Sequence, residues 1–223
     1  MLIEKLKEIK LVGQSIFFLF LVVSNILVTG VSLELMASRN TLSIIGKIFL
    51  IVCMYVTLII VLVYVCRGQS WWNKSSNLLK TVSYIVSFVL ILVIISVVMN
   101  KLSGVLVNSD NVTSNQSNIN QLLKYNQLKF FMIIQIVFLA PVIEELIFRG
   151  VLVKWFLSNS PLQWALSSSL FALIHEQNEL FAFTTYFLLG CTLFVARKKL
   201  GILGSLLVHI IYNSSLLLLF FLN

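Results

Sequence analysis

Apolar runs of about twenty residues recur along this chain, and nothing else in the sequence constrains the fold as strongly. A helix crossing a hydrocarbon core of about 30 Å needs about 20 such residues. Seven helices can be read, near Leu11–Leu35, Ile44–Cys66, Leu78–Met99, Leu128–Trp155, Leu162–Asn178, Leu180–Ala196 and Leu200–Leu222. Of the fifth, only Leu162–Ile174 is uncharged. That is short for a span, so it is expected to carry His175 into a protein-lined cavity. Composition removes the alternatives: of 223 residues, 59% are hydrophobic and 11% charged, with mean hydropathy +1.01. So few polar groups cannot coat a water-facing exterior, which excludes a soluble enzyme and a disordered chain. The expected fold class is an all-α polytopic membrane protein of about seven transmembrane helices, its catalytic cavity within the C-terminal four-helix half.

The net charge of +8 lies in the connections between apolar runs and forms no stripe, so it reads as a topology signal rather than a nucleic-acid surface. With the N-terminus inside, ten Lys and Arg residues fall on the cytoplasmic side and five on the outer side, Arg149 being set aside within a helix. Trp71, Trp72, Trp155 and Trp164 also fall beside the cytoplasmic connections. N-in, C-out in a cell membrane is therefore expected. The first apolar run lacks a convincing cleavage site and reads as a retained helix. One long polar connection, Asn100–Gln127, separates residues 1–127, helices plus a polar outer loop, from a helical core at 128–223. Within that loop Asn111-Val112-Thr113 matches a glycosylation sequon, read as a chance match in an Asn-rich stretch. Cys53, Cys66 and Cys191 are odd in number, lack Cys-x-x-Cys spacing and read as small buried hydrophobes.

Ionisable residues inside membrane helices are expensive and mark function by default. The first three helices hold almost none, whereas the fourth carries Glu144, Glu145 and Arg149, the fifth Phe171 and His175, and the seventh His209 and Asn213. Both histidines of the chain are in this set. Residues four apart share a helix face, so Glu145 is expected to pair with Arg149. Glu144, rotated by about 100°, is left to face the bundle interior. Phe171, one turn before His175, can wall the site, and His209 and Asn213 project side by side. Counted at 1.5 Å per residue, Glu144, His175, His209 and Asn213 lie roughly 14–20 Å from the cytoplasmic interface, in one layer. A carboxylate and an imidazole there can activate water, and N–H donors can stabilise an oxyanion. Two His and one Glu also form an accepted zinc set.

Glu-Glu-x-x-x-Arg at 144–149, Phe-x-x-x-His at 171–175 and His-x-x-x-Asn at 209–213, in that order on successive helices, resemble the three motifs of the CPBP intramembrane proteases. That family includes the type II CAAX prenyl endopeptidases and bacterial proteins associated with bacteriocin self-immunity. The resemblance covers roughly Ala140–Asn213. It implies an intramembrane endopeptidase in which Glu144 and His175 activate water, while His209 and Asn213 stabilise the oxyanion or help bind a metal. Glu145, Arg149 and Phe171 would support them. A divalent metal, zinc, held by His175, His209 and Glu144, and metal-free water activation are both open. The further C-terminal helix of the family's larger members is not expected here, with about ten residues following Asn213.

The expected partners are a membrane-associated peptide or protein substrate and the lipid bilayer, without nucleic acid. The Ile-, Asn-, Lys- and Ser-rich composition suggests AT-rich codons and a bacterial plasma membrane, where a signalling or bacteriocin-like peptide is a more plausible substrate than a prenylated protein. A second reading is an immunity or regulatory membrane protein that binds a peptide or partner without turnover. A transporter or proton relay is disfavoured by the absence of an internal repeat and of a broken-helix pair.

Overall fold

The computed structural model describes residues 2–37, 44–73, 77–107, 129–156, 161–175 and 179–222. They form seven helices: α1 Leu2–Ala37, α2 Ile44–Val65, α3 Leu78–Val107, α4 Lys129–Phe156, α5 Pro161–His175, α6 Leu180–Leu200 and α7 Ile202–Leu222. Among the described residues there is no strand. Six of the seven, all but α5, are long and apolar enough to cross a bilayer. The 15 described residues of α5 reach about 22 Å, and His175 is the last of them. The expected end at Asn178 lies outside the described residues, as do the sequon at Asn111 and the stretch Asn108–Asn120.

Burial ranks the helices by role. Of the most apolar stretch of α4, 56% is buried, against 6% in α3 and 22% in α2. Ile16, Leu19 and Phe20 on α1, Ile60 on α2, and Leu90 and Ile94 on α3 stay exposed. In a bundle this apolar those faces meet lipid, while α4 packs against α1, α2, α5 and α7, and α3 packs on α6 and α7.

One end of the bundle is tied by polar contacts from the α2–α3 connection. Lys154 Nζ donates to the carbonyls of Val65 and Arg67, each at 2.7 Å. Arg197 Nη2 donates to Gln69 Oε1 at 2.8 Å. The Leu203 N–H donates to the Trp71 carbonyl at 2.9 Å, and the Asn73 N–H to the Leu200 carbonyl at 3.0 Å. Arg67, Lys154, Arg197 and Lys198 are thereby gathered at the end where α2, α4 and α6 finish.

Gly201 makes the turn between α6 and α7 in this clamp. Its φ of 84° and ψ of −178° lie in a region essentially restricted to glycine. A Cβ there would also stand 2.8 Å from the Trp71 carbonyl oxygen. Gly201→Ala is expected to cost roughly 1–3 kcal/mol from backbone conformation alone, lowering the thermal midpoint in detergent. Gly13→Ala on α1, where a Cβ meets nothing within 4 Å, is the control and should leave the midpoint unchanged or slightly raised.

Candidate active site

Two turns of α4, Gln135–Leu139 and Glu145–Val151, are π-helical. Such turns are rare and occur frequently at functional sites. The first has a local cause. The Ala140 N–H bonds the Gln135 carbonyl, five residues back, and the next residue, Pro141, has no N–H to continue the pattern. The Ile136 carbonyl that it would have served is bonded instead by Asn213 Nδ2 at 3.1 Å.

The second turn is held from outside in the same way. The Phe148 carbonyl accepts from Ser167 Oγ at 3.0 Å, the Arg149 carbonyl from Arg197 Nε at 2.7 Å, and the Gly150 carbonyl from Gln69 Nε2 at 3.0 Å. Cys66 Sγ lies 3.6 Å from the Leu146 carbonyl as its donor. Burial pushes the Cys66 thiol up to about 11, so it remains a neutral S–H at this position. Donors from α5, α6 and the α2–α3 connection thus stabilise a backbone that a regular α-helix would not require.

Inside this turn lies the charged centre. Glu145 Oε1 stands 3.5 Å from Arg149 Nη1, and both side chains are fully buried. Arg149 Nη2 donates to the Gly190 carbonyl at 3.1 Å, and its guanidinium lies over the Phe171 ring at 4.5 Å. A Cβ on Gly190 would stand 3.0 Å from Ser168 Cα and 3.3 Å from the Phe171 ring, so α5 would have to give by a few tenths of an ångström to admit one. The expected Glu145–Arg149 pair is present, with an added role: Glu145 Oε1 is also 3.3 Å from Nδ1 of His209. Helical spacing carries no sign of that contact, since it joins residues 64 positions apart.

Glu144 faces the other way. Its Oε1 stands 3.6 Å from His175 Nε2 and its Oε2 stands 3.8 Å from His209 Nε2. Both separations exceed a direct hydrogen bond and suit one bridging water. The far nitrogens fix the tautomers. His175 Nδ1 donates to the Phe171 carbonyl at 2.8 Å, because a carbonyl can only accept. His209 Nδ1 faces the Glu145 carboxylate, another acceptor. Each ring therefore carries its proton on Nδ1 and turns Nε2 toward Glu144. The His175 ring is held between Phe171, with centroids 4.4 Å apart, and Tyr186, stacked at 4.7 Å.

These groups line a cavity of about 380 Å³. Glu144, Phe171, His175, His209 and Asn213 all face it. Of the four residues expected in one layer, Glu144, His175 and His209 meet. Asn213 shares the cavity with one amide N–H committed to Ile136. The wall is wider than the C-terminal helices: Asn25, Thr29 and Leu92 reach it from α1 and α3, and Gln135 and Tyr186 from α4 and α6. Asn25 and Gln135 are isolated amides in apolar runs, which is the signal that would have found them.

Two imidazole nitrogens and a carboxylate, each imidazole anchored through its other nitrogen, are the donor types a zinc ion takes. Among the described residues, however, no three His, Cys, Asp or Glu side chains are gathered closely enough to hold a metal as they stand.

Residues 126–215 match the family model described as Type II CAAX prenyl endopeptidase Rce1-like. No curated protein and no solved structure matches the chain. The matched stretch holds α4, α5, α6 and most of α7, and with them Glu144, Glu145, Arg149, His175, His209 and Asn213, while Asn25, Thr29 and Leu92 of the cavity wall lie outside it. Through these C-terminal helices the chain, a multi-pass membrane protein, is similar to the type II CAAX prenyl endopeptidases.

Proposed function

We propose that this protein is an intramembrane endopeptidase that hydrolyses a peptide bond of a membrane-associated peptide or protein. The observation that carries the reading is the Glu144 carboxylate, faced by two imidazole Nε2 atoms across gaps of 3.6 and 3.8 Å within a cavity. A water in the gap between Glu144 and His175 donates one proton to the carboxylate as its oxygen attacks the scissile carbonyl carbon. The resulting oxyanion meets an N–H donor, the second amide hydrogen of Asn213, with the His209 ring on the same cavity wall. Glu144 then returns the proton to the amine as the C–N bond breaks, giving one carboxylate and one amine product. Glu145 and Arg149 hold His209 in register, and Phe171 and Tyr186 hold His175.

If a divalent metal binds, His175, His209 and Glu144 would supply its donors, and it would polarise the scissile carbonyl. The chemistry assigned to the side chains requires only that these three groups converge. The Lys and Arg residues collected at one end of the bundle favour that end as cytoplasmic, giving N-in and C-out in a bacterial plasma membrane. A processed signalling or bacteriocin-like peptide fits such a setting, in peptide maturation or self-immunity.

The test is to incubate the full-length protein in nanodiscs with a defined pool of hydrophobic peptides in ¹⁸O-labelled water. Cleavage should place one ¹⁸O in the new carboxyl terminus, read by mass spectrometry. Peptides bound but never cut would instead support a binding immunity protein. A chelator arm with zinc add-back accompanies it: loss and recovery of cleavage assigns a metal to the site, and unchanged cleavage assigns the water to the side chains.

A further inference from the structure

The cavity has a second polar station that the hydrolytic groups do not use. Gln135, in the first π-helical turn of α4, is 4% exposed and lines the cavity, and its side-chain carbonyl oxygen has no hydrogen-bond partner. Asn25, 6% exposed, and Thr29 bring further polar side chains to the same cavity from α1. Met132, Ile136 and Leu92, also on the wall, are apolar. An acceptor so buried is costly to leave unbonded; these apolar side chains cannot satisfy it, and the Tyr55 hydroxyl beside it makes no hydrogen bond to it.

We infer that Gln135 is a substrate-binding residue that accepts a hydrogen bond from a backbone N–H of a peptide unwound in the cavity. This rests on the peptidase reading and adds a recognition element to it. A peptide bond is open to attack only where its helix has been unwound, and unwinding frees N–H groups that lipid cannot satisfy. A fixed acceptor in an apolar wall answers that need without selecting any particular side chain. Gln135 precedes Glu144 by nine positions on the same helix, at most about 13 Å along the axis. An extended peptide covers that distance in about four residues at about 3.3 Å each. The amide recognised by Gln135 therefore lies three or four residues from the scissile bond.

The experiment measures binding rather than turnover. The probe is a fluorophore-tagged, acetylated and amidated hexapeptide of alternating leucine and alanine, with an analogue set in which each backbone amide is N-methylated in turn. Fluorescence polarisation is read against the full-length protein in nanodiscs, with empty nanodiscs as the partition control. For the wild type, methylation at one position should weaken binding about fivefold to tenfold. Gln135→Met should weaken the parent peptide by a similar factor and erase the difference between parent and that analogue. Gln135→Asn, which retracts the acceptor by one methylene, should fall between.

If the parent peptide does not bind, or if Gln135→Met leaves the methylation profile intact, the assignment is overturned. The second result would mean that the buried Tyr55 hydroxyl, which neighbours Gln135, Thr29 and Ser32, turns to Gln135 and occupies its acceptor. Should neither variant fold, the wild-type scan decides, since a flat profile overturns the proposal. Hydrolysis is scored separately: binding that depends on Gln135 without any cleavage overturns the peptidase reading and leaves Gln135 as a peptide-binding residue.

Discussion

Arg149→Met is expected to destabilise the folded protein by about 3–5 kcal/mol, the range for breaking a buried ion pair from one side. Arg149 is fully buried, and its removal leaves the Glu145 carboxylate inside the bundle with Glu144 nearby and without the guanidinium that pairs with it. The pair is only partly satisfied even when intact, since Glu145 Oε2 and Arg149 Nε and Nη1 have no hydrogen bond. It is the opposite charge, more than a full set of hydrogen bonds, that makes each partner tolerable to the other. The double change Glu145→Gln with Arg149→Met should accordingly recover most of the lost stability, because two neutral side chains replace two charges. Thermal melts of both variants in the same detergent check this. A double variant as unstable as Arg149→Met alone would mean that the contacts to Gly190 and Phe171, rather than charge balance, hold α4 against α5 and α6. Activity should not recover in parallel. The glutamine of Glu145→Gln keeps an oxygen acceptor for His209 Nδ1, but the contact that orients the ring is no longer charge-assisted.

The existence and order of the helices are legible in the sequence because each apolar run reports its own solvent. The site is legible for a related reason, since ionisable residues in a lipid-facing sequence have few places to go. Counting rise per residue puts Glu144, His175 and His209 in one layer, and they meet. What cannot be read is whatever depends on contacts between distant segments. The π-helical turns of α4 rest on Asn213, Ser167, Arg197 and Gln69, donors that come from other helices or from the α2–α3 connection. Only Pro141 hints at the first of them. Asn213 shows the consequence: by spacing it belongs beside His209 as an oxyanion donor, and by contact it also completes the backbone of α4. By sequence α1 and α3 are generic lipid-facing helices, yet Asn25, Thr29 and Leu92 close the cavity wall. A single buried amide in an apolar run is the available clue, and one amide is weak evidence against a satisfied helix–helix hydrogen bond.

Glu144→Gln should lower kcat by about 10³-fold, within the range for a general base, while leaving peptide binding and the thermal midpoint nearly unchanged. The glutamine is the same size and can still accept hydrogen bonds from water, so the gaps to His175 and His209 persist. What it lacks is the capacity to take a proton from the attacking water and return it to the leaving amine. Glu144→Asp separates basicity from position. It keeps the carboxylate but withdraws it by one methylene from two imidazoles that already stand 3.6 and 3.8 Å away. A displacement of about 1 Å costs on the order of 10²-fold, so Asp should be impaired but better than Gln. Glu145→Gln should show the opposite division, with a larger change in thermal midpoint and a smaller one in kcat, because Glu145 faces Arg149 and reaches the reaction only through His209. The two glutamates are adjacent on the helix, and their difference in facing is what the pair of measurements reads. If Glu144→Gln retains more than a tenth of wild-type cleavage, the proton is carried elsewhere. His175, whose Nε2 faces the same water with Nδ1 fixed on the Phe171 carbonyl, is then the remaining base, and His175→Ala should abolish what is left.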